Sequence, residues 1–274
     1  MAADETAVWA HNPGGTVTRI DPKTNAVVAT IDVGPGFGPM AIGSNAVWVV
    51  KHDYATISKI DPQTNKVVDT IDLHGPFGTL TVTPDALWVG SLAQDAIIRI
   101  DTHTDKVVAT LARSEGPTFL AYKAGTLWSC NRGSPGLTRI NPQTNEVVAQ
   151  IDVGAGLICG GMAAEDDMVW VAPALSAGQG DEIISSGQVE RIDPATNSVT
   201  AKISVPASLK GMIAAVAHGV WAVDRSQGLF RIDPTTNTYV GKLAMPNVAG
   251  MAVAAGSVWC ATSDGTVLRV EPSL

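Results

Sequence analysis

Thr16-Val17-Thr18-Arg19-Ile20-Asp21-Pro22-Lys23-Thr24-Asn25-Ala26-Val27-Val28-Ala29-Thr30-Ile31-Asp32 is the stretch whose reading decides the fold. Its two arms are rich in Val, Ile and Thr and alternate with polar residues, as a half-buried pleated strand requires. Between them lies Asp21-Pro22-Lys23-Thr24-Asn25. Pro presets φ for the first turn position, and Asn tolerates the left-handed conformation at the end. The stretch therefore reads as a β-hairpin. Trp9 precedes Arg19 by 10 residues, inside another apolar run.

Both markers recur. Tryptophan stands at 9, 48, 88, 128, 170, 221 and 259, at spacings of 39, 40, 40, 42, 51 and 38. Each is followed by a basic tetrapeptide, such as Lys59-Ile60-Asp61-Pro62, Arg139-Ile140-Asn141-Pro142 or Arg231-Ile232-Asp233-Pro234. The interval is 10 or 11 residues in six copies and 21 in the fifth, so the fifth carries an insertion, 173–187. A small apolar strand precedes the Trp strand in the later repeats, as in Met40-Ala41-Ile42. Four short strands per repeat, seven times over, predict an all-β, seven-bladed β-propeller of antiparallel blades as one domain over 1–274. The chain enters at the Trp strand and ends within the turn after Arg269. The first and last blades are therefore expected to be incomplete, the first lacking its inner strand. An edge so exposed should be covered, by a protein partner, a dimer contact or a short N-terminal arm that pairs loosely.

Composition limits the function. Lys and Arg number 18 against 26 Asp and Glu, a net charge of −8, which argues against duplex DNA. No apolar run is long enough for a membrane-spanning helix. Asn25, Asn65, Asn145, Asn197, Asn237 and Asp105 share one turn slot, read as turn chemistry. Met40, Met162, Met212 and Met251 open inner strands, but Leu80 and Phe119 share their column, which points to packing rather than a soft-metal ring. Cys130, Cys159 and Cys260 are an odd set; they read as small apolar strand fillers, with a Cys130–Cys159 bridge as the alternative.

The turns that follow the Trp strands, and the links between blades, vary where the Asp-Pro-x-Thr-Asn turns do not. Loops on a rigid scaffold commonly carry function. Four residues past the Trp, His52, Arg132 and Arg225 hold equivalent places. With Lys51, Arg113 and Lys210 they form a cationic rim at the expected channel mouth, joined by Asn131, Asp224, Phe37 and Phe77. Arg and Lys suit a small anionic ligand, and Phe adds a stacking surface for a short single-stranded nucleic acid. His11, His52 and His74 lie in the first two blades and are the candidate bases; convergence of such side chains is also how a divalent metal would be held. No organic cofactor is expected, since no P-loop or dinucleotide fingerprint occurs and Gly34-Pro35-Gly36-Phe37-Gly38 precedes no helix. No nucleophile elbow occurs either. The inserted segment is expected to act as a lid or partner-binding loop, with Ile183-Ile184 over the mouth.

The Val-Trp-Val, Arg-Ile-Asp-Pro-x-Thr-Asn and Val-Val-Ala-Thr-Ile-x-Val-Gly blocks resemble the YVTN family of propeller repeats, including YncE-like periplasmic proteins, over nearly the whole chain. The resemblance implies export, with Met1-Ala2-Ala3-Asp4 read as a start placed on a mature sequence, and single-stranded DNA binding for the YncE-like branch. The chain is more distantly similar to the streptogramin (virginiamycin B) lyases. Those place a His before an inner strand, where this sequence has Gly38, Gly78, Pro117, Gly160, Lys210 and Ala249, and a Glu past the last Trp, where it has Ser263. That lyase machinery is absent as written. The expectation is an exported binding or interaction protein, with a lyase or lactonase-like hydrolase as the alternative.

Overall fold

The structure is a computed structural model of the chain. It describes residues 1–36, 38–51, 55–73, 77–112, 116–133, 136–154, 157–165, 167–176, 183–209, 212–216, 219–245 and 247–271. Among them every regular element is a strand. Blade one holds β1 (Ala2–Ala3), β2 (Val8–His11), β3 (Thr16–Ile20) and β4 (Val27–Asp32). Blade two holds β5 (Met40–Gly43), β6 (Ala46–Val50), β7 (Thr56–Asp61) and β8 (Lys66–Asp72). Blade three holds β9 (Thr79–Val82), β10 (Ala86–Ser91), β11 (Ala96–Asp101) and β12 (Lys106–Ala112). Blade four holds β13 (Pro117–Lys123), β14 (Thr126–Asn131), β15 (Gly136–Asn141) and β16 (Glu146–Asp152). Blade five holds β17 (Leu157–Ala164), β18 (Val169–Ser176), β19 (Ile183–Ser185), β20 (Gln188–Asp193) and β21 (Ser198–Ser204). Blade six holds β22 (Ile213–Val216), β23 (Gly219–Asp224), β24 (Gly228–Asp233) and β25 (Thr238–Ala244). Blade seven holds β26 (Val248–Ala254), β27 (Ser257–Thr262) and β28 (Val267–Val270). Each blade is an antiparallel sheet in chain order, β19 excepted, which pairs only with β18. The fold is the expected seven-bladed propeller, its last blade three-stranded.

Two expectations are corrected. Blade one is complete: Ala2 and Ala3 pair with Trp9 and Val8, so two residues are enough to supply an inner strand. Small side chains suit that place, where Ala2 packs beside the cluster of Ala7, Trp9 and Met40. The insertion of blade five is a hairpin rather than a free loop. β18 runs on past the blade, and Leu175 and Ser176 pair with Ile184 and Ile183. β17 is extended in parallel with this, Leu157 lying opposite Leu175. Residues 177–182, the tip of the expected lid, lie outside the described residues.

The chain forms two compact units, Met1–Leu120 with Ala252–Ala255, and Ala121–Met251 with Gly256–Leu274. In the first, Trp48, Ile57, Phe77, Leu80 and Leu87 share a core across blades two and three. In the second, Trp170, Val189, Ile203, Val220 and Phe230 fill the space between blades five and six. All seven tryptophans are buried.

The two sequence markers meet directly. Each Trp faces its basic partner across the strand pair, Trp9 opposite Arg19 and Trp170 opposite Arg191. In all seven blades the cation lies over the indole, 4.9 Å from the ring centre at Lys59 and 5.9 Å at Arg231. In blades one, two, four and five the cation then reaches into the following blade. Arg19 donates to Pro62 O and, at 2.9 Å, to Asn65 Oδ1. Arg139 does the same to Pro194 O and Asn197 Oδ1, and Arg191 to Pro234 O and Asn237 Oδ1. Where Lys59 replaces Arg, Asp105 replaces Asn and pairs with it at 2.8 Å. These turn residues all sit at positive φ, from 54° to 62°. The slot therefore has two roles, turning the backbone and accepting the neighbour's cation.

Candidate functional site

Where the second strand turns into the third in blades one, three, four, six and seven, one column of residues closes the turn and the next, Pro13, Leu92, Arg132, Arg225 and Ser263, is exposed. The closing residue stands three places past the Trp. In blade one, Asn12 Nδ2 donates to Thr16 and Thr18 hydroxyls at 3.0 and 2.9 Å. In blade three, Ser91 Oγ accepts from Gln94 N. In blade four, Asn131 is buried, donates to Thr138 Oγ1 at 2.8 Å and accepts from Ser129 Oγ at 2.6 Å. In blade seven, Thr262 bonds Asp264 and Thr266 O. The most elaborate of these turns belongs to blade six. The Asp224 carboxylate accepts from Ser226 N and Oγ, Gln227 N and Nε2, and Ser208 N, at 2.6 to 3.2 Å. Burial pushes its pKa up, but those donors from Ser226, Ser208 and Gln227 outweigh it and hold the carboxyl at about 2. It is therefore charged at neutral pH, and it ties the β23–β24 turn to the strand connection that leads past Ser208 and the buried Leu209.

Asn131 and Asp224 are thus corrected from ligand contacts to positioning residues. Both are inside the protein, with their polar atoms engaged. What they position is the following residue. Arg132 and Arg225 are exposed, at matching places in blades four and six. Lys51 is half-buried in blade two. Phe77 is corrected too. It is 1% exposed, in the core with Trp48, Leu80 and Leu87, and offers no stacking surface. Phe37, His52, His74, Arg113 and Lys210 lie outside the described residues.

His11 does not suit a base. Its Nδ1 lies 3.1 Å from Gly38 N and 3.3 Å from Gly38 O, and which of the two it bonds follows from the tautomer. Burial, the dominant influence, lowers the pKa of the ring, so it stays neutral. Nε2 is enclosed by protein and has no hydrogen-bond partner among the described residues. The ring behaves as a strut between blade one and the blade link at Gly38. Among the described residues no three His, Cys, Asp or Glu side chains gather as a metal site.

No family model matches the chain, and no curated protein matches it. Solved structures do. The chain is similar to hydrazine synthase of Kuenenia stuttgartiensis, with a TM-score of 0.78 at 14% identity over 98% of this chain and 95% of that one. It is similar to the Neurospora crassa Pan2 WD40 domain, with a TM-score of 0.79 at 12% identity over 98% and 86%. It is also similar to the WD40 propeller of Doa1, at 0.74, 11%, 97% and 89%. The shared property is the propeller fold. Neighbours this varied in name leave the function to the site itself.

Cys130 and Cys159 form a disulfide between β14 and β17, with Cα atoms 5.1 Å apart. The reading of both as plain strand fillers is corrected. It applies to Cys260, which is buried and whose thiol burial pushes up to about 12, leaving it unreactive. The closing column three past the Trp was missed from sequence for Asn12, Ser91 and Thr262. The signal is a small polar residue ending an apolar strand, which at Asn131 and Asp224 reads from sequence as a ligand contact rather than as the closure of its own turn.

Proposed function

We propose that the chain is an exported binding protein of the YVTN-repeat, YncE-like kind. Its ligand is a small anion held at the end of the blades where Arg132 and Arg225 emerge. The observation that carries this is the Asp224 network. Five donors fix one buried carboxylate, and the residue it holds out to solvent is Arg225. A guanidinium on a fixed turn loses less freedom when it binds a carboxylate or phosphate than one on a mobile loop. Export is supported by the disulfide, because such bonds persist in oxidising compartments. The repeat motifs support the kinship. The state of His11 weighs against a lyase or hydrolase built on that residue.

Thermal-shift measurements test the reading. The purified protein is screened with citrate, phosphate, a short single-stranded oligonucleotide, a lactone and divalent metal salts, alongside Arg225→Ala and Arg132→Ala. A ligand of the folded state raises Tm by mass action. The expected result is a rise with a small anion that shrinks in either variant. Equal shifts in both variants and the parent, or a response to metals alone, would count against it.

A further inference from the structure

Among the described residues, blades one to six each finish on an outer strand, whereas blade seven finishes on β28. β28 pairs with β27 in unbroken register, from Ala261 opposite Val267 to Val258 opposite Val270. No strand lies along its other side among those residues. An edge of this kind is a template for a further strand, because its backbone N–H and C=O groups point away from the sheet. The shifted register that bends the outer strands of the other blades, as at Arg19/Ile20 and Arg231/Ile232, has no counterpart at β28.

The other six blades show what this edge lacks. Two places before the basic marker they carry Val17, Ile57, Ile97, Leu137, Val189 and Leu229, each 1% exposed or less. Val267 holds that place in blade seven and is only half-buried. One place before the marker, blades two to six bury Ser58, Ile98, Thr138, Glu190 and Phe230. Leu268, in the same column, is 38% exposed. It lies opposite Cys260, on the side of the blade where Val258, Cys260 and Val270 share a core with Leu229 and Met245 of blade six. An apolar side chain therefore meets water at a place that most other repeats cover.

We infer that the outer edge of β28 receives an extended segment of another polypeptide, which docks antiparallel as the fourth strand of blade seven. The complete blades specify its chemistry. Opposite the column of Val267 they place Ile31, Ile71, Leu111, Ile151, Ile203 and Leu243. Opposite the column of Leu268 stand Thr30, Thr70, Thr110, Gln150, Lys202 and Lys242. Opposite the marker stands Ala in four blades, with Asp69 and Gly241 in the other two. The incoming segment thus reads small residue, then Thr or a long polar residue, then Ile or Leu. The small residue leaves room for Arg269, which lies over Trp259. The polar residue covers Leu268 with its aliphatic part. Extent decides between a strand and a second copy of the chain. β28 has four residues, about 14 Å of edge. Contact along it alone falls far short of the ~1,200 Å² that a stable dimer buries, but it matches one strand of five or six residues. The site owes nothing to Arg132 or Arg225.

The test uses the whole protein and an end-blocked, fluorescently labelled peptide, Val-Val-Ala-Thr-Ile-Asp, which copies residues 27–32. Anisotropy is expected to show saturable binding. Ile31→Asp in the peptide should weaken it at least about tenfold, since the apolar contact with Val267 is lost. Two further copies are N-methylated on alternate residues. An antiparallel strand turns alternate N–H groups toward its neighbour, so one copy should lose binding and the other keep it. In the protein, Leu268→Asp should weaken binding at least about fivefold, with an unfolding curve to establish that the fold is kept. Hydrogen exchange should slow at the β28 amides when the peptide is bound. No binding, N-methylated copies that behave alike, or protection confined to other strands would overturn the site. A dimer of the free protein that Leu268→Asp dissociates would overturn the partner strand in favour of a second copy.

Discussion

At the scale of single residues, the molecule depends on where a charge is placed against its partner. The Lys59–Asp105 pair is mostly buried, with 18% and 15% side-chain exposure. Asp105 also holds φ at 55°. Asp105→Ala removes the ion pair and places a Cβ residue without polar help in the left-handed region. A loss of about 2 to 3 kcal/mol is expected, measured by denaturant unfolding. Asp105→Asn keeps the backbone preference and an acceptor, and should cost about 1 kcal/mol or less. Glu190 is the contrary case. It is completely buried on β20, in a column where blades three and six have Ile98 and Phe230. Lys202 lies 2.7 Å away, yet among the described residues neither carboxylate oxygen has a hydrogen bond of good geometry. Desolvation raises its pKa and outweighs the Lys202 contribution. A carboxyl whose folded pKa lies above its unfolded value loses stability as pH rises between the two. Glu190→Gln should therefore melt progressively higher than the parent as pH rises from about 4 to 7. Glu190→Met should gain about 1 to 3 kcal/mol, because it removes a desolvated carboxylate and leaves Lys202, 54% exposed, in water. A constant Tm difference across that pH range would show that the carboxylate is not the source.

At the scale of elements, every outer strand pairs with its neighbour through the same irregularity. The register shifts between the basic marker and the following Ile in blades one to six, as at Arg19/Ile20 and Arg231/Ile232. In blade one Arg19 faces Ala29 and Ile20 faces Val27, so Val28 is the extra residue. This accounts for the double valines, whose second members are 54% to 57% exposed at Val28, Val68, Val108 and Val148. A bulge there bends the free edge and discourages pairing with another chain. Alternation alone missed it, because two adjacent apolar residues on one strand look like a shift of face. The hairpins, the repeat and the left-handed Asn slot were all legible, since each depends on local chemistry. The pairing of Ala2–Ala3 and the burial of Phe77 were not, since they depend on which strands meet across distant sequence. The disulfide belongs to the same class of long-range facts. It joins positions 29 residues apart. The chain-entropy model gives it about 3 to 4 kcal/mol. Reduction, or Cys130→Ser with Cys159→Ser, should lower Tm measurably. Identical melting with and without reductant would mean that the bond contributes nothing.

At the scale of the whole molecule, acid sensitivity is set by the turns. Asp21, Asp61, Asp101, Asp193 and Asp233 lie below the ordinary carboxylate range, chiefly because each accepts backbone N–H groups two or three residues on. Depressed carboxyls contribute stability that is present above their unfolded pKa and disappears as pH falls through the folded one. Tm should thus fall steeply between about pH 4, the unfolded reference, and about pH 2, where Asp224 titrates. Asp224→Asn should flatten the last part of that fall. An unchanged profile would mean that the turn holding Arg225 is stabilised by other contacts.

At the joints that follow blades one, two, four and five, the cation of one repeat meets a turn of the next, and each partner is written inside a repeat. Copying a repeat in tandem therefore copies a plug together with a socket, and the new blade arrives already able to join its neighbours on both sides. Drift is constrained in the same way. A change from Asn to Asp in one socket is answered in the preceding repeat, as Lys59 and Asp105 show. The inheritance of this protein is recorded at its joints, one repeat out of step with the blades themselves.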